Sequence, residues 1–556
     1  MFLTFSSSWS FQVHTRGFMS KKEKAITNST VSEFFSKNLG QVGFSSPNKA
    51  VLTTVKEAVD NSLDACEDGG ILPEIEVTVE KLGPGHLKNH DRIRIVIIDN
   101  GPGIAREDIS RVFGEYLASS KFGRGRCSRG QQGIGISAAT TWAQLTNAKG
   151  VQVITKTKDS KKAVSALAEI DIKNNKGNLK EETLIDWDRP HGTSVEFILD
   201  GKAQLNGEAG LITYLIGTSL VNPHLTLHYT LPEMERVTIE RVTTDEPRIP
   251  EATEPHPHTM KLGEFITHSH LFHTKVGVWL KTSFSRVSDS TIKDLVDAGI
   301  PKKVFQTQVD QLNESEIKNL FTAIQNATLL APSTKSVLSI GEESLSKSIK
   351  RLGDVDFFSV VTRKPSICDF KPIQVEVAMA RLVDKVGESD EPVQVLRFAN
   401  RVPLQFDKSA CAIHQAISSV NWRAYGLAQP KDSVPQGPYI IAVSVVSPFI
   451  KFKNASKETL DASDELVEEI RFALIQAGQR LAKYIKHEKK ANELEEKRQY
   501  LELFGPILIE GLVRITGATS SRQKAAEIGL KKILGRDTSE VESQLEEAES
   551  KLEDKK

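Results

Sequence analysis

Cysteine is scarce. The four in this 556-residue chain (Cys66, Cys127, Cys368 and Cys411) are widely scattered, and none falls in a C-x-x-C pair. That argues against a disulfide framework or a zinc site and for a reducing compartment. No apolar run approaches the roughly 18 residues that a transmembrane helix requires. No G-x-x-x-x-G-K-[ST] occurs, so any nucleotide chemistry must proceed without a P-loop. An excess of one charge is missing too: 72 Lys plus Arg balance 72 Asp plus Glu. A dedicated nucleic-acid coat would be basic, so any DNA contact must come from local patches. The remainder, 39% hydrophobic and 26% charged, is an ordinary globular composition, and the length predicts about three to four domains.

Against that background one stretch stands out, Glu57-Ala-Val-Asp-Asn61-Ser-Leu-Asp64-Ala. Glu57, Asn61 and Asp64 lie at i, i+4 and i+7, one face of a helix, while Val51, Leu52, Val55, Ala58, Val59 and Leu63 supply a core side. A carboxylate can take a proton from water. An amide oxygen one turn away is a neutral ligand for Mg²⁺, an ion that takes few protein ligands. A second segment, Ile93 to Ile98, is a nearly continuous β-branched run that reads as a buried strand. It ends in Asp99-Asn-Gly101-Pro-Gly103. An acid at a strand end can accept from an exocyclic amine, and Gly101 and Gly103 let a flat base approach the backbone. The third, Ser128-Arg129-Gly130-Gln131-Gln132-Gly133-Ile134-Gly135-Ile136-Ser137, opens a helix-like run. It offers free N–H groups and a positive dipole end to phosphates. The basic, glycine-punctuated text from Ser119 through Ser120 and Lys121 to Arg126 precedes it as a lid. The fourth, His191-Gly-Thr193-Ser-Val, turns into an alternating strand. Each segment alone has a plain structural explanation in a solvated helix face, a turn, a loop or a hairpin; their order is far more specific.

In that order the four segments resemble the Bergerat-fold (GHKL) ATPases, the group of gyrase B, MutL, the ninety-kilodalton heat-shock chaperones and sensor histidine kinases. The resemblance implies Glu57 as general base, Asn61 as Mg²⁺ ligand, and Asp99 reading the adenine amine with support from Thr193. Gly101 and Gly103 would lie against the base. Gly130, Gln131, Gln132, Gly133, Ile134, Gly135 and Ile136 would wrap the triphosphate, with Ser120, Lys121 and Arg129 beside them. More narrowly, Thr30 to Asn38, Val42 to Pro47, Leu330-Ala-Pro-Ser-Thr334, Arg397 to Leu404 and Asn421-Trp-Arg-Ala-Tyr-Gly426 resemble the B subunits of the type IIB topoisomerases, from about residue 27 to about residue 490. In that family a Trp-Lys-x-Tyr segment supplies a lysine to the γ-phosphate. Here it reads Trp422-Arg423-Ala424-Tyr425, which leaves Arg423 or Lys431 for the contact, and arginine is no neutral replacement for lysine.

The implied fold class is α+β. It comprises a doubtful extension (1–18), an N-terminal strap (19–45), a Bergerat-fold ATPase sandwich (46–240) and a helix-two-turn-helix module (241–330). A transducer of the ribosomal-protein-S5-like type (331–463), a stalk helix (464–500) and a short helical tail (501–556) follow. The stalk is legible without the resemblance: apolar residues recur at Leu466, Ile470, Leu474, Ala477, Leu481 and Ile485 among charges. His256 and His258 read as a turn, because no acid or cysteine stands at ligand spacing. The doublets Asp186-x-Asp188 and Asp354-x-Asp356 read as surface acids, since no Toprim-like glutamate strand precedes them. The resemblance implies ATP and Mg²⁺ as cofactors, homodimerisation on ATP binding, and an A2B2 assembly with a DNA-cleaving A subunit that relaxes and decatenates double-stranded DNA. It implies a cytoplasmic, nucleoid-associated location, or a nuclear one in a eukaryote. The alternatives are a B-like scaffold without hydrolysis, a sensor kinase, which would need a phospho-accepting histidine helix, and a gyrase B protein, which would need a Toprim domain downstream.

Overall fold

Alternation within the isoleucine-rich strand decides where its terminal acid points. Ile93, Ile95, Ile97 and Asp99 are buried, whereas Arg92, Arg94, Val96 and Ile98 are only half-buried. The strand is therefore covered on one face, not on both as its composition suggested. Its outer face carries ion pairs such as Arg94–Glu196 (2.6 Å). A period of two places Asp99 on the helix side, continuing the isoleucine row. The computed structural model describes residues 29–119, 125–130, 132–245, 249–385, 390–454 and 456–534.

The N-terminal sheet contains β1 (Glu74–Pro84), β2 (Asp91–Asp99), β3 (Val151–Lys156), β4 (Ala163–Asp171), β5 (Lys176–Ile185), β6 (Gly192–Gly201), β7 (Thr226–Thr230) and β8 (Val237–Ile239). Their order is β5-β4-β3-β6-β2-β1-β7-β8, antiparallel except for the β1–β7 pair. The helices are α1 (Val31–Lys37), α2 (Pro47–Asp68), α3 (Arg106–Gly114), α4 (Gly135–Asn147) and α5 (Leu211–Val221). The main core lies between the sheet and α2, α4 and α5. Helix α2 starts where sequence rules put a start: Ser46 accepts the Lys49 N–H and Pro47 occupies the first turn. The described part of the strap packs on its own chain. Thr30 and Ser32 hydroxyls donate to the Ile172 carbonyl at 3.0 and 2.6 Å, and Phe35 stacks on Tyr116. Residues 1–28 lie outside the described residues.

A second core, around Phe265, Trp279 and Phe284, belongs to α6 (Leu262–Ser269), α7 (Val276–Ser283), α8 (Asp289–Asp297) and α9 (Glu314–Asn326). His256 and His258 sit in a turn beside it; His256 stacks on Phe370, and His258 Nε2 lies 2.9 Å from the Ile324 carbonyl. The C-terminal sheet is built from β9 (Val355–Thr362), β10 (Ser366–Cys368), β11 (Lys371–Leu382), β12 (Gln394–Ala399), β13 (Val402–Pro403) and β14 (Tyr439–Val446). Its order is β10-β11-β14-β12-β13, with β9 on β11. Strands β12 and β14 run parallel, which requires a crossover. Helix α10 (Glu342–Ile349) precedes the sheet, α11 (Ala412–Ser419) lies within the crossover, and α12 (Asp464–Thr516) closes the domain.

The expected stalk is longer than its sequence pattern. α12 continues past Tyr500 and through Pro506 to Thr516, for 53 residues, roughly 80 Å at 1.5 Å per residue. An interior proline costs a helix about 3 kcal/mol. Here tertiary packing supports the site: residues 520–534 form another helix, and its Leu530 lies so close to Gly505 that a Cβ there would meet it at 2.6 Å. The expected apolar stripe packs against the sheet at Leu466, Ile470, Leu474, Ala477 and Leu481. Among the described residues no helix is long and apolar enough to cross a membrane, and all four cysteines are buried and free.

Candidate functional site

Helix α2 is buried almost all round. From Val51 to Asp68, only Thr53, Glu57, Asn61, Ala65 and Asp68 escape full burial. Their spacing of four, four, four and three draws one stripe, and it faces an open cavity of about 290 Å³. Glu57 and Asn61 line that cavity with Asp99, Gly103, Thr193, Gly130, Gln132, Gly133, Ile134, Gly135 and Ile136. Asp64, expected on the same face, is buried and turned to the loop instead. Its carboxylate accepts from Arg129 Nη1 (2.8 Å) and the Gly130 N–H (3.1 Å).

At one end of the cavity Asp99 is held by three donors: Ser62 Oγ on Oδ2 (2.8 Å), and the N–H groups of Gly101 (2.9 Å) and Thr193 (3.1 Å) on Oδ1. Register explains the last contact, since Thr193 sits directly opposite Asp99 across β6 and β2. Burial pushes the Asp99 carboxyl above its ordinary range while these three hydrogen bonds oppose the shift. Ile104, Val112, Phe113 and Val195 add apolar wall. The result is an apolar-walled recess into which the buried Asp99 carboxylate is held as an acceptor. Gly103 adopts φ +78° and a Cβ there would meet the Lys156 carbonyl at 2.2 Å, so only glycine fits. Gly101 is placed differently from its expectation: it does not line the cavity but braces Asp99, and its carbonyl lies 2.7 Å from His191 Nδ1.

At the other end α4 presents its N-terminus. Ile134, the N-cap, offers no side-chain acceptor, so the first-turn N–H groups remain available to an anion. A Cβ on Gly135 would lie 1.9 Å from Glu57 Oε2; glycine at this position lets the helix end approach the carboxylate. The Gly133 carbonyl accepts the Leu117 N–H (2.8 Å), tying the loop to the segment before the lid. Ser120, Lys121 and Gln131 lie outside the described residues.

Three expected contacts need correction. Arg129 turns its side chain away from the cavity: it is 3% exposed and bound by Asp64 and Glu67. A basic residue in a glycine loop reads as a phosphate ligand, but two buried acids on α2 claim this one. Arg423 and Lys431 do not line the cavity either. The Arg423 guanidinium donates to the Gln429 carbonyl at 2.6 Å, within its own exposed turn. The cation that does reach the cavity from the C-terminal domain is Lys457. It is buried, carries φ +54° and donates from Nζ to the Arg129 carbonyl at 2.9 Å, while neighbouring Glu458 pairs with Lys49 of α2 at 2.9 Å. The sequence offered only a Lys-Glu pair in a turn-like Asn-Ala-Ser context. Ser62 was equally hidden, as one hydroxyl in a helix.

A recess with an acceptor, a carboxylate and an amide at its middle and a helix N-terminus opposite is suited to a nucleotide whose phosphates are approached from two domains. Residues 48–201 match the family described as histidine kinase-, DNA gyrase B-, and HSP90-like ATPase, which defines the class of the N-terminal domain. Residues 332–497 match the topoisomerase VI B subunit transducer. The chain is 38% identical over 472 residues to the B subunit of type 2 DNA topoisomerase 6 from Archaeoglobus fulgidus, covering 84% of this chain and 75% of that protein. The protein of the same name from Methanococcoides burtonii is 34% identical over 481 residues, with coverage of 86% and 75%. That from Pyrococcus abyssi is 32% identical over 572 residues, with coverage of 94% and 98%. The chain belongs to the family of type 2 DNA topoisomerase 6 B subunits.

Proposed function

We propose that this chain binds and hydrolyses ATP as an Mg²⁺-dependent clamp, and that with a DNA-cleaving A subunit it passes one duplex through another. The observation that carries the reading is the convergence of Glu57, Asp99, Gly130, Gln132 to Ile136 and Lys457 on one cavity. Adenine enters the recess and donates its amine to Asp99. The phosphates meet the N–H groups at the start of α4. Glu57 takes the proton of the attacking water. Asn61 would hold the metal through its amide oxygen, a neutral ligand suited to an ion that takes few protein ligands. Bound Mg²⁺ would neutralise charge on the phosphates. Lys457 carries the γ-phosphate contact that unites the ATPase domain and the transducer. Two chains close on ATP, and the assembly is A2B2. Support for a partner at the stalk tip comes from Tyr500, Leu503, Phe504, Ile507, Leu508 and Ile515, large apolar side chains left exposed along one stretch of α12.

Relaxation of supercoiled DNA by the purified chain plus an A subunit is expected to require ATP; relaxation without ATP would reject the proposal. Lys457→Ala should lower ATP turnover by about 10-fold or more, whereas Arg423→Ala and Lys431→Ala should leave turnover within about two-fold. The reverse pattern would return the contact to the Trp-Arg-Ala-Tyr turn.

A further inference from the structure

One carboxylate near the end of α2 is gripped by both domains. Glu67, 9% exposed, accepts from Arg129 through Nη2 (2.6 Å) and Nη1 (3.0 Å). It also accepts from Arg401 through Nη2 (2.7 Å) and Nη1 (3.1 Å). His224 adds a third donor, Nε2 at 2.9 Å. Two guanidiniums thus bind a single carboxylate in fork geometry, the strongest form of this pairing. Arg401 follows β12 in the transducer. Arg129 immediately precedes Gly130, the first glycine of the phosphate-end loop, whose N–H is fixed by Asp64.

The charges close on themselves. Asp64 and Glu67 supply two negative charges, Arg129 and Arg401 two positive ones. Burial lowers the His224 pKa against the pull of Glu67, so the histidine can serve as a neutral donor. Burial alone would raise the Glu67 carboxyl, but Arg129 and Arg401 hold it well below the usual carboxylate range. If Arg401 leaves, the buried group on the ATPase side keeps one unbalanced negative charge. A buried pair that loses one partner is strongly destabilised, so seating of the transducer and geometry of the loop base cannot vary independently. Lys457 acts on the same residue from the other side, through the Arg129 carbonyl.

We infer that Glu67 is a positioning residue for hydrolysis: by binding Arg129 and Arg401 together, it sets the start of the phosphate-binding loop only when the transducer is seated. This rests on the ATPase reading above. Glu67 lies outside the nucleotide cavity, so its effect falls on turnover and not on the adenine end.

The test uses the full-length chain with Arg401→Lys, Arg401→Gln, Glu67→Gln and the Glu67→Gln/Arg401→Gln pair. It reads kcat for ATP, affinity for ADP and the folded fraction. Arg401→Gln should lower kcat by about 10-fold or more, since small misplacements of reacting groups carry large rate penalties, with ADP affinity within about two-fold. Arg401→Lys, which keeps the charge and loses the fork, should recover part of the rate. The double variant should be no slower than Glu67→Gln alone, because the two residues act as one unit. An unchanged kcat in Arg401→Gln, or a loss that only tracks the folded fraction, overturns the inference. Should the variants not fold, hydrogen exchange on the wild-type chain decides: a non-hydrolysable ATP analogue must change protection at Gly130 and at residues 400–404 together, and independent changes overturn it. A wild-type chain that binds no nucleotide defeats the ATPase reading instead.

Discussion

Turnover of ATP by a Glu57→Ala variant is expected to fall by about 10²- to 10⁴-fold, the range that a positioned general base contributes. Binding of a non-hydrolysable analogue should change by less than about three-fold. Glu57 stands on the half-exposed stripe of an otherwise buried helix, against the first residue of α4. An alanine there removes the proton acceptor without opening the core, because the side chain faces the cavity. The distinction from a folding defect lies in the split between kcat and binding: an interaction made only in the transition state lowers turnover and leaves ground-state affinity alone. Hydrolysis within about ten-fold of the wild type would remove Glu57 from the role of base. A parallel loss of binding would place it among the ground-state contacts.

The second large effect falls at the opposite end of the cavity. Asp99→Asn should weaken nucleotide binding by about 10- to 100-fold, from about 1.5–3 kcal/mol for a hydrogen bond to a charged acceptor. The existing bonds dictate the amide's orientation. Gly101 and Thr193 both donate to Oδ1, so the asparagine must put its oxygen there and its NH₂ on the Ser62 side. Ser62 can rotate its hydroxyl to accept, but the adenine amine then meets a donor. The core should tolerate the change, because burial already disfavours the charged form of Asp99. Calorimetric titration with ADP checks the affinity and a melting curve checks the fold. Undiminished affinity in a folded Asp99→Asn protein would mean that the recess does not read an amine.

Much of this site was legible in the chain because local periodicity carries it. Four-residue spacing placed Glu57 and Asn61 on one stripe. The strand run ended in an acid, although the face that acid takes was shown only by the alternating burial of the folded strand. Glycines before a helical run marked the helix N-terminus. The same local logic failed wherever a side chain's partner is distant in sequence. Asp64 has helical spacing that suits the stripe, yet its carboxylate reaches Arg129, 65 residues on. Arg129 has the composition of a phosphate ligand, yet Glu67 and Asp64 neutralise it. The apolar pattern bounded the stalk at residue 500, yet α12 continues through Pro506 to Thr516, with Leu530 packed on Gly505.

By itself, then, the sequence determined most of the elements, the class of ATPase fold, and Glu57, Asn61, Asp99 and the glycines before α4 as cavity residues, while Ser62, Ala65 and Asp68 of α2 joined them only in the fold. Periodicity and capping are short-range and need no knowledge of the rest of the chain. Tertiary structure alone decided which cation enters that cavity from the second domain. Lys457 is separated from Arg129 by 328 positions and lies in a loop with no repeating pattern, whereas Arg423 and Lys431, equally basic, do not line the cavity. A charge acts on what lies within a few ångströms of it, and for residues so far apart along the chain that neighbourhood exists only after folding.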